Sequence, residues 1–142
     1  MVLNYMFKLK HKKIGLLVGR NKVVENLVDF RERYFKEIMI KNGLYREEYL
    51  KIGDFSMESG YLMMKEILKL EDKPTAVFCG NDSIAMGAYR AIREKKLKIP
   101  EDMSIIGFND LKLSQYFIPP LTTIKIDTKL IAQETVNSLV EL

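Results

Sequence analysis

KPTAVFCGNDSIAMGAYRAIREKKLKIPEDMSIIGFNDLKLSQYFIPPLTT, residues 73–123, is the stretch that decides the fold of this chain. Two short apolar runs, TAVFCG (75–80) and MSIIGF (103–108), flank an amphipathic segment. Runs of that length, apolar at successive positions, fit strands buried on both faces of a sheet. A helix between two such strands is one crossover unit of a parallel sheet. Each run ends in a small polar pair, Asn81-Asp82 after the first and Asn109-Asp110 after the second. In open parallel sheets ligands bind outside the carboxyl ends of the strands, where the strand order reverses. Two Asn-Asp pairs delivered to that edge suggest a binding rim.

Working outward, residues 13–19 (KIGLLVG) read as a buried strand and 49–53 as a second. Residues 21–42 read as a helix, because Val24, Leu27, Val28, Phe35, Ile38 and Met39 recur at spacings of three and four, with Gly43 as its C-cap. Asp54-Phe55-Ser56 follows the second strand; Ser56 is a good N-cap and Glu58 sits in the first turn of a helix ending near Leu70. Helix 82–96, a break at Pro100, and strand 103–108 come next. An irregular segment with Tyr116 and Phe117 leads to Pro119-Pro120, extended residues 121–126 and a final amphipathic helix over 129–142. The expected fold class is therefore α/β, an open parallel sheet of four strands in the order 2-1-3-4 with helices on both faces. A helix tail before the first strand, and a last helix behind a strand expected to leave the sheet, suggest one lobe of a two-lobed protein.

At 142 residues, with 47% hydrophobic and 30% charged residues, the chain suits one soluble domain with a real core. No run approaches the ~20 apolar residues of a membrane span. The opening MVLNYMFKLKHKK is apolar then basic, the reverse of a secretory signal, so export is not expected. The net charge of +4 comes mostly from scattered lysines, and its two clusters lie where helices end, where cations complement the helix dipole. A lone cysteine, Cys79, inside a core strand fits a reducing compartment.

Several chemistries are disfavoured. The single histidine, His11, precedes the first strand, at the edge opposite the rim, which argues against a nucleophilic triad and against a Cys/His metal site. No phosphate-cradling glycine motif occurs, and no cofactor is called for. Asp54, Asp82 and Asp110 offer carboxylates to the rim, although Asp82 reads more simply as the N-cap of its helix. Arg20, Asn21, Phe55, the Asn-Asp pairs and Arg31 complete a polar, planar inventory. Amides, a rigid guanidinium fork and a flat ring suit a sugar or nucleobase-like small molecule. Turn and cap residues alone would account for the Asn-Asp pairs equally well.

Six motifs then stand in order: HKKIGLLVG (11–19), RERYFKEIMIKNGL (31–44), GDFSMESGY (53–61), KPTAVFCGNDSIAMGAYRAI (73–92), LKIPEDMSIIGFND (97–110) and FIPPLTTIKID (117–127). Together they resemble the effector-binding region of the LacI/GalR family of transcriptional regulators. The resemblance implies one lobe of a periplasmic-binding-protein-like fold. Residues 1–12 would be the end of a helix from a missing N-terminal lobe, 13–121 the C-terminal lobe, and 122–142 a strand and helix returning to the other lobe. By that likeness Arg31 clamps the effector, Asn81 supplies an amide, Phe55 forms an aromatic wall and Asn109 stands where an aspartate commonly grips hydroxyls. The amide at Asn109 removes a charge-assisted bond and adds a donor. Asp82, Asp110 and Ile126 are secondary candidates, and Tyr34 replaces the family's usual glycine. Met86, Tyr89, Tyr116 and Phe117 are candidates for a homodimer interface, with ordinary core as the plainer reading. The implied function is effector sensing in a cytoplasmic, non-enzymatic regulator whose operator DNA is bound only through a headpiece outside this chain, with no membrane partner. The alternative is a periplasmic sugar-binding protein of a transporter, which shares the fold.

Overall fold

The computed structural model describes residues 1–21, 23 and 27–140. Strands β1 (Ile14–Gly19), β2 (Leu50–Gly53), β3 (Ala76–Cys79), β4 (Ser104–Asn109) and β5 (Thr122–Lys125) form one sheet in the order β2-β1-β3-β4-β5. Every neighbouring pair is parallel, with Leu16 opposite both Leu50 and Phe78, and Ile106 opposite both Phe78 and Thr122. The expected order holds for the first four strands. The fifth is a correction: residues 122–125 were expected outside the sheet, and they extend its edge instead. Pairing with β4 satisfies backbone groups that a strand leaving the sheet would have to satisfy elsewhere.

The two faces of the sheet are read off by alternation. Leu17, Val77, Cys79 and Ile105 point to one core, shared with α3 (Met57–Lys69) and α4 (Asp82–Glu94). Ile14, Leu16, Val18, Ala76, Phe78 and Ile106 point to the other, beneath α1 (Val2–Lys8) and α2 (Phe30–Lys41). Leu3 and Met6 of α1 are buried in that second core. α1, expected to be the end of a helix from another lobe, packs its Leu3 and Met6 against this sheet in the described residues. α5 (Thr128–Val140) is the opposite case, with no buried residue at all.

Local rules explain most helix ends. Ser56 caps α3 by accepting from Ser59 N. Past α2, the amide of Leu44 bonds Met39 O and that of Gly43 bonds Ile40 O, with Gly43 at φ +67, the left-handed turn that glycine enters without strain. The start of α2 departs from expectation. The helix begins at Phe30, capped by Asp29, and residues 27–29 are not helical; Val24 lies outside the described residues. α3 and α4 touch backbone to backbone: a Cβ on Gly60 would meet Ile84, and one on Gly87 would meet Met57 O and Tyr61 N.

Candidate functional site

The order of strands reverses between β1 and β3, and Arg31 spans that point. α2 follows β1 in the chain, and from its first turn Arg31 Nη1 donates to Gly80 O, just past β3, at 2.5 Å. Asp29 grips the rest of the guanidinium, taking Nε on Oδ1 at 2.8 Å and Nη2 on Oδ2 at 2.7 Å, while Oδ1 also accepts Arg31 N. Burial pushes the Asp29 carboxyl up, but the hydrogen bonds and charge of Arg31 outweigh it and hold the group below the usual carboxylate range. Three rings surround the cation: its Cζ lies 5.2 Å from the Phe30 centroid, 5.7 Å from Phe55 and 5.0 Å from Phe108.

Asn81 joins this group directly. Its Oδ1 caps α4 by accepting Ile84 N at 2.7 Å, and its Nδ2 donates to Phe55 O at 3.1 Å. Gly19 makes room for Phe55, since a Cβ there would sit 2.7 Å from the ring. Arg31, Phe55 and Asn81 are therefore brought together as the sequence suggested. Asn109 ends β4 next to Phe108 and is exposed, with no bond to the other three. It and Asp110 occupy the left-handed region, at φ 105 and φ 57. A φ of that size on a non-glycine residue costs about 1–3 kcal/mol and persists only where surroundings enforce it.

Asp82 supplies the enforcement, which corrects the expectation that it caps α4. Asn81 is the cap. Asp82, 1% exposed, accepts Leu111 N and Ser114 Oγ on Oδ2, both at 2.7 Å, and Thr123 Oγ1 on Oδ1 at 2.6 Å. Thr123 Oγ1 in turn accepts Asp110 N at 3.3 Å. One buried carboxylate thus ties the first turn of α4 to the turn after β4 and to β5. Gly107 lies against it, since a Cβ there would run into Asp82 Oδ1.

Other rim candidates are spent on structure. Arg20 Nη2 bonds both oxygens of the buried Glu32 at 2.8 and 3.0 Å, and Lys36 lies 3.0 Å from the same carboxylate. Asn21 accepts Val23 N in a local turn, and Asp54 accepts Ser56 N. Ile126 lies past β5, and Tyr34 stands exposed on α2. His11 sits at the opposite edge, with Nδ1 2.8 Å from Thr75 Oγ1. Phe30, Phe108, Asp29 and Glu32 were missed in the sequence. Phe108 was findable, because period-two alternation turns it away from Asn109 and towards α2.

Met86, Tyr89, Tyr116 and Phe117 line one groove beside Arg90 and Glu94. Tyr89 is 6% exposed and belongs to the core, meeting the half-buried Phe117 edge-on at 4.9 Å, whereas Tyr116 is 73% exposed. Among the described residues no group of three or more His, Cys, Asp or Glu residues is placed to hold a metal. No described helix is long and apolar enough to cross a membrane.

The open parallel sheet with its polar edge at the switch point is an α/β lobe of a widely used kind, and residues 3–142 match the family described as Periplasmic binding protein-like domain. The chain belongs to that family, on its LacI/GalR regulator branch. It is 40% identical over 132 residues to the HTH-type transcriptional repressor PurR of Actinobacillus pleuropneumoniae serotype 3 (strain JL03), covering 92% of this chain and 39% of that protein. It is 38% identical to the repressor CytR of Escherichia coli (strain K12), over 85% of this chain and 35% of CytR. The lac repressor dimer bound to operator and the anti-inducer ONPF superposes with a TM-score of 0.84 at 33% identity, over 99% of this chain and 48% of that one. The chain thus spans about two-fifths of the PurR relative, and it corresponds to the effector-binding part of such regulators. These relatives are described as transcriptional repressors, so the transporter-protein alternative is not favoured.

Proposed function

We propose that this chain is the effector-sensing lobe of a cytoplasmic, non-enzymatic transcriptional regulator that acts as a homodimer. A small molecule, a sugar or a nucleobase-like ring, lies over the rim formed by Arg31, Phe55, Asn81 and Asn109. Arg31 offers directional donors, Phe55 a flat apolar wall, Asn81 its remaining N–H, and Asn109 a neutral amide. The observation that carries this reading is the Arg31 guanidinium held across the switch point among three rings. Asp82, Asp110 and Ile126 act around the rim and do not contact the effector first.

The mechanism is linkage. An effector held between two lobes favours one lobe orientation by its differential affinity, and the headpieces of a dimer change operator affinity accordingly. α5 supports the second lobe: Leu130, Ile131, Val136, Leu139 and Val140 are all exposed, an apolar surface suited to packing on a lobe outside this chain. The chain after β5, from residue 126 on, would then be the path back to it. Operator DNA would be bound only through an N-terminal headpiece outside this chain. Exposed Tyr116, with Met86, Tyr89 and Phe117 behind it, is the proposed dimer contact. A thermal-shift screen of the two-lobed protein against sugars and nucleobases tests the reading. At least one compound is expected to raise Tm, with the rise abolished by Arg31→Ala. A rise that survives Arg31→Ala would remove this rim from the account.

A further inference from the structure

Helices α2, α3 and α4 start at the carboxyl edge of the sheet, and helix starts attract anions. α2 begins at Asp29, α3 carries Glu58 in its first turn, and α4 carries Asp82 in its first turn. Each of these positive helix ends is thus already supplied with a carboxylate from the chain itself. Arg31, the cation that reaches over the switch point among the described residues, is in the same position. Asp29 takes its Nε and Nη2 side in a two-bond fork, and the pair is largely buried, with side-chain exposures of 14% and 13%. Gly80 O takes a third N–H. Of the five N–H donors of a guanidinium, two remain for a ligand, and the charge behind them is neutralised. Asn109, at the far side of the rim, adds no charge, and Asn81 has one N–H left after capping α4 and bonding Phe55 O.

We infer that Asp29 is a specificity-determining residue: by holding Arg31 as a neutralised two-donor fork, it confines the site to uncharged, acceptor-bearing ligands and excludes phosphorylated or carboxylated ones. The inference rests on the rim being the effector site and names which chemical class that site takes. Three rings within 6 Å of the guanidinium favour a flat ligand face over a compact anion. An anion on the two remaining N–H groups would meet a guanidinium whose charge Asp29 already offsets, with the Asp29 carboxylate beside it as a like charge.

Inorganic phosphate is the probe, titrated into the full chain and followed by amide NMR, with glucose and adenine as uncharged counterparts. Asp29→Asn keeps an oxygen able to cap α2, so the fold is retained while the neutralising charge goes. Wild type is expected to show no saturating phosphate shift at Arg31, Gly80 or Asn81, and Asp29→Asn to bind phosphate about tenfold or more tightly. The Arg31 Nε–H signal is expected to move in the variant before any ligand is added, which a capping role alone would not produce. Phosphate saturation of wild type at these amides, or a variant that gains nothing, overturns the inference. If glucose and adenine move no rim amide in either protein, the effector reading itself falls and carries this inference with it.

Discussion

Truncating the buried carboxylate at position 82 is the sharpest test of how the rim is held. Asp82 accepts three hydrogen bonds between 2.6 and 2.7 Å, from Leu111 N, Ser114 Oγ and Thr123 Oγ1. Bonds to a charged group contribute about 1.5–3 kcal/mol each, and a shared acceptor makes them non-additive. In Asp82→Ala the buried Ser114 hydroxyl loses its partner and the turn carrying Asn109 and Asp110 at positive φ loses its anchor. The expected loss is about 3–5 kcal/mol, a large share of the ~5–15 kcal/mol that holds a typical domain folded. Asp82→Asn keeps one acceptor oxygen, and the two hydroxyls can rotate to accept from its amide, so about 1–2 kcal/mol is expected. Urea melts read both values; with m near 2 kcal/mol/M, Asp82→Ala lowers the midpoint by roughly 2 M. An alanine variant that loses less than about 1 kcal/mol, or an asparagine variant as damaged as alanine, would refute the reasoning.

Gly87→Ala should destabilise by about 1–3 kcal/mol, because the new methyl meets Met57 O and Tyr61 N and the gain in helix propensity is only ~1 kcal/mol; a melt showing stabilisation would contradict the close helix crossing. Cys79 is fully buried, and burial, with Asp82 adding its charge, pushes its thiol well up. It should therefore ignore Ellman's reagent in the folded chain and react in urea, and prompt labelling of native protein would be contrary. Asp29 is held below its ordinary value, so it contributes stability above about pH 4 that is lost as pH falls through its folded value. Urea midpoints taken from pH 7 down to 3 should therefore fall less steeply in Asp29→Asn than in wild type, and parallel curves would count against the ion pair.

Strands β1, β3 and β4 were legible because each is a continuous apolar run of a length only a strand fits. The order of the sheet followed from right-handed crossovers. The start of α2 was not legible: apolar spacing runs on through Leu27 and Val28 as if the helix continued, and only the bond from Arg31 N to Asp29 marks where it begins. β5 was misplaced because two prolines precede it and its threonines carry no apolar signal. Asn81 and Asp82 are adjacent residues with equal capping chemistry, and a one-residue shift in register decides which caps and which is buried. Asp29 and Glu32 escaped notice because charged residues read as solvated, and their partners Arg31 and Arg20 are met only after folding. At the site, Arg31, Phe55 and Asn81 were legible as a set through the family likeness, while the rings of Phe30 and Phe108 needed the strand and helix faces to be set against each other.

The central claim is that one rim, centred on Arg31, receives the effector. Its most direct measurement is a chemical-shift map of the isotope-labelled chain titrated with the compound that stabilises the two-lobed protein. The account predicts weak binding, about millimolar, with the largest changes at the amides of Arg31, Phe55, Asn81 and Asn109 and the Arg31 side chain, since the opposing half of the site lies elsewhere. Shifts centred on the Tyr116 groove, or micromolar affinity in this lobe alone, would contradict it.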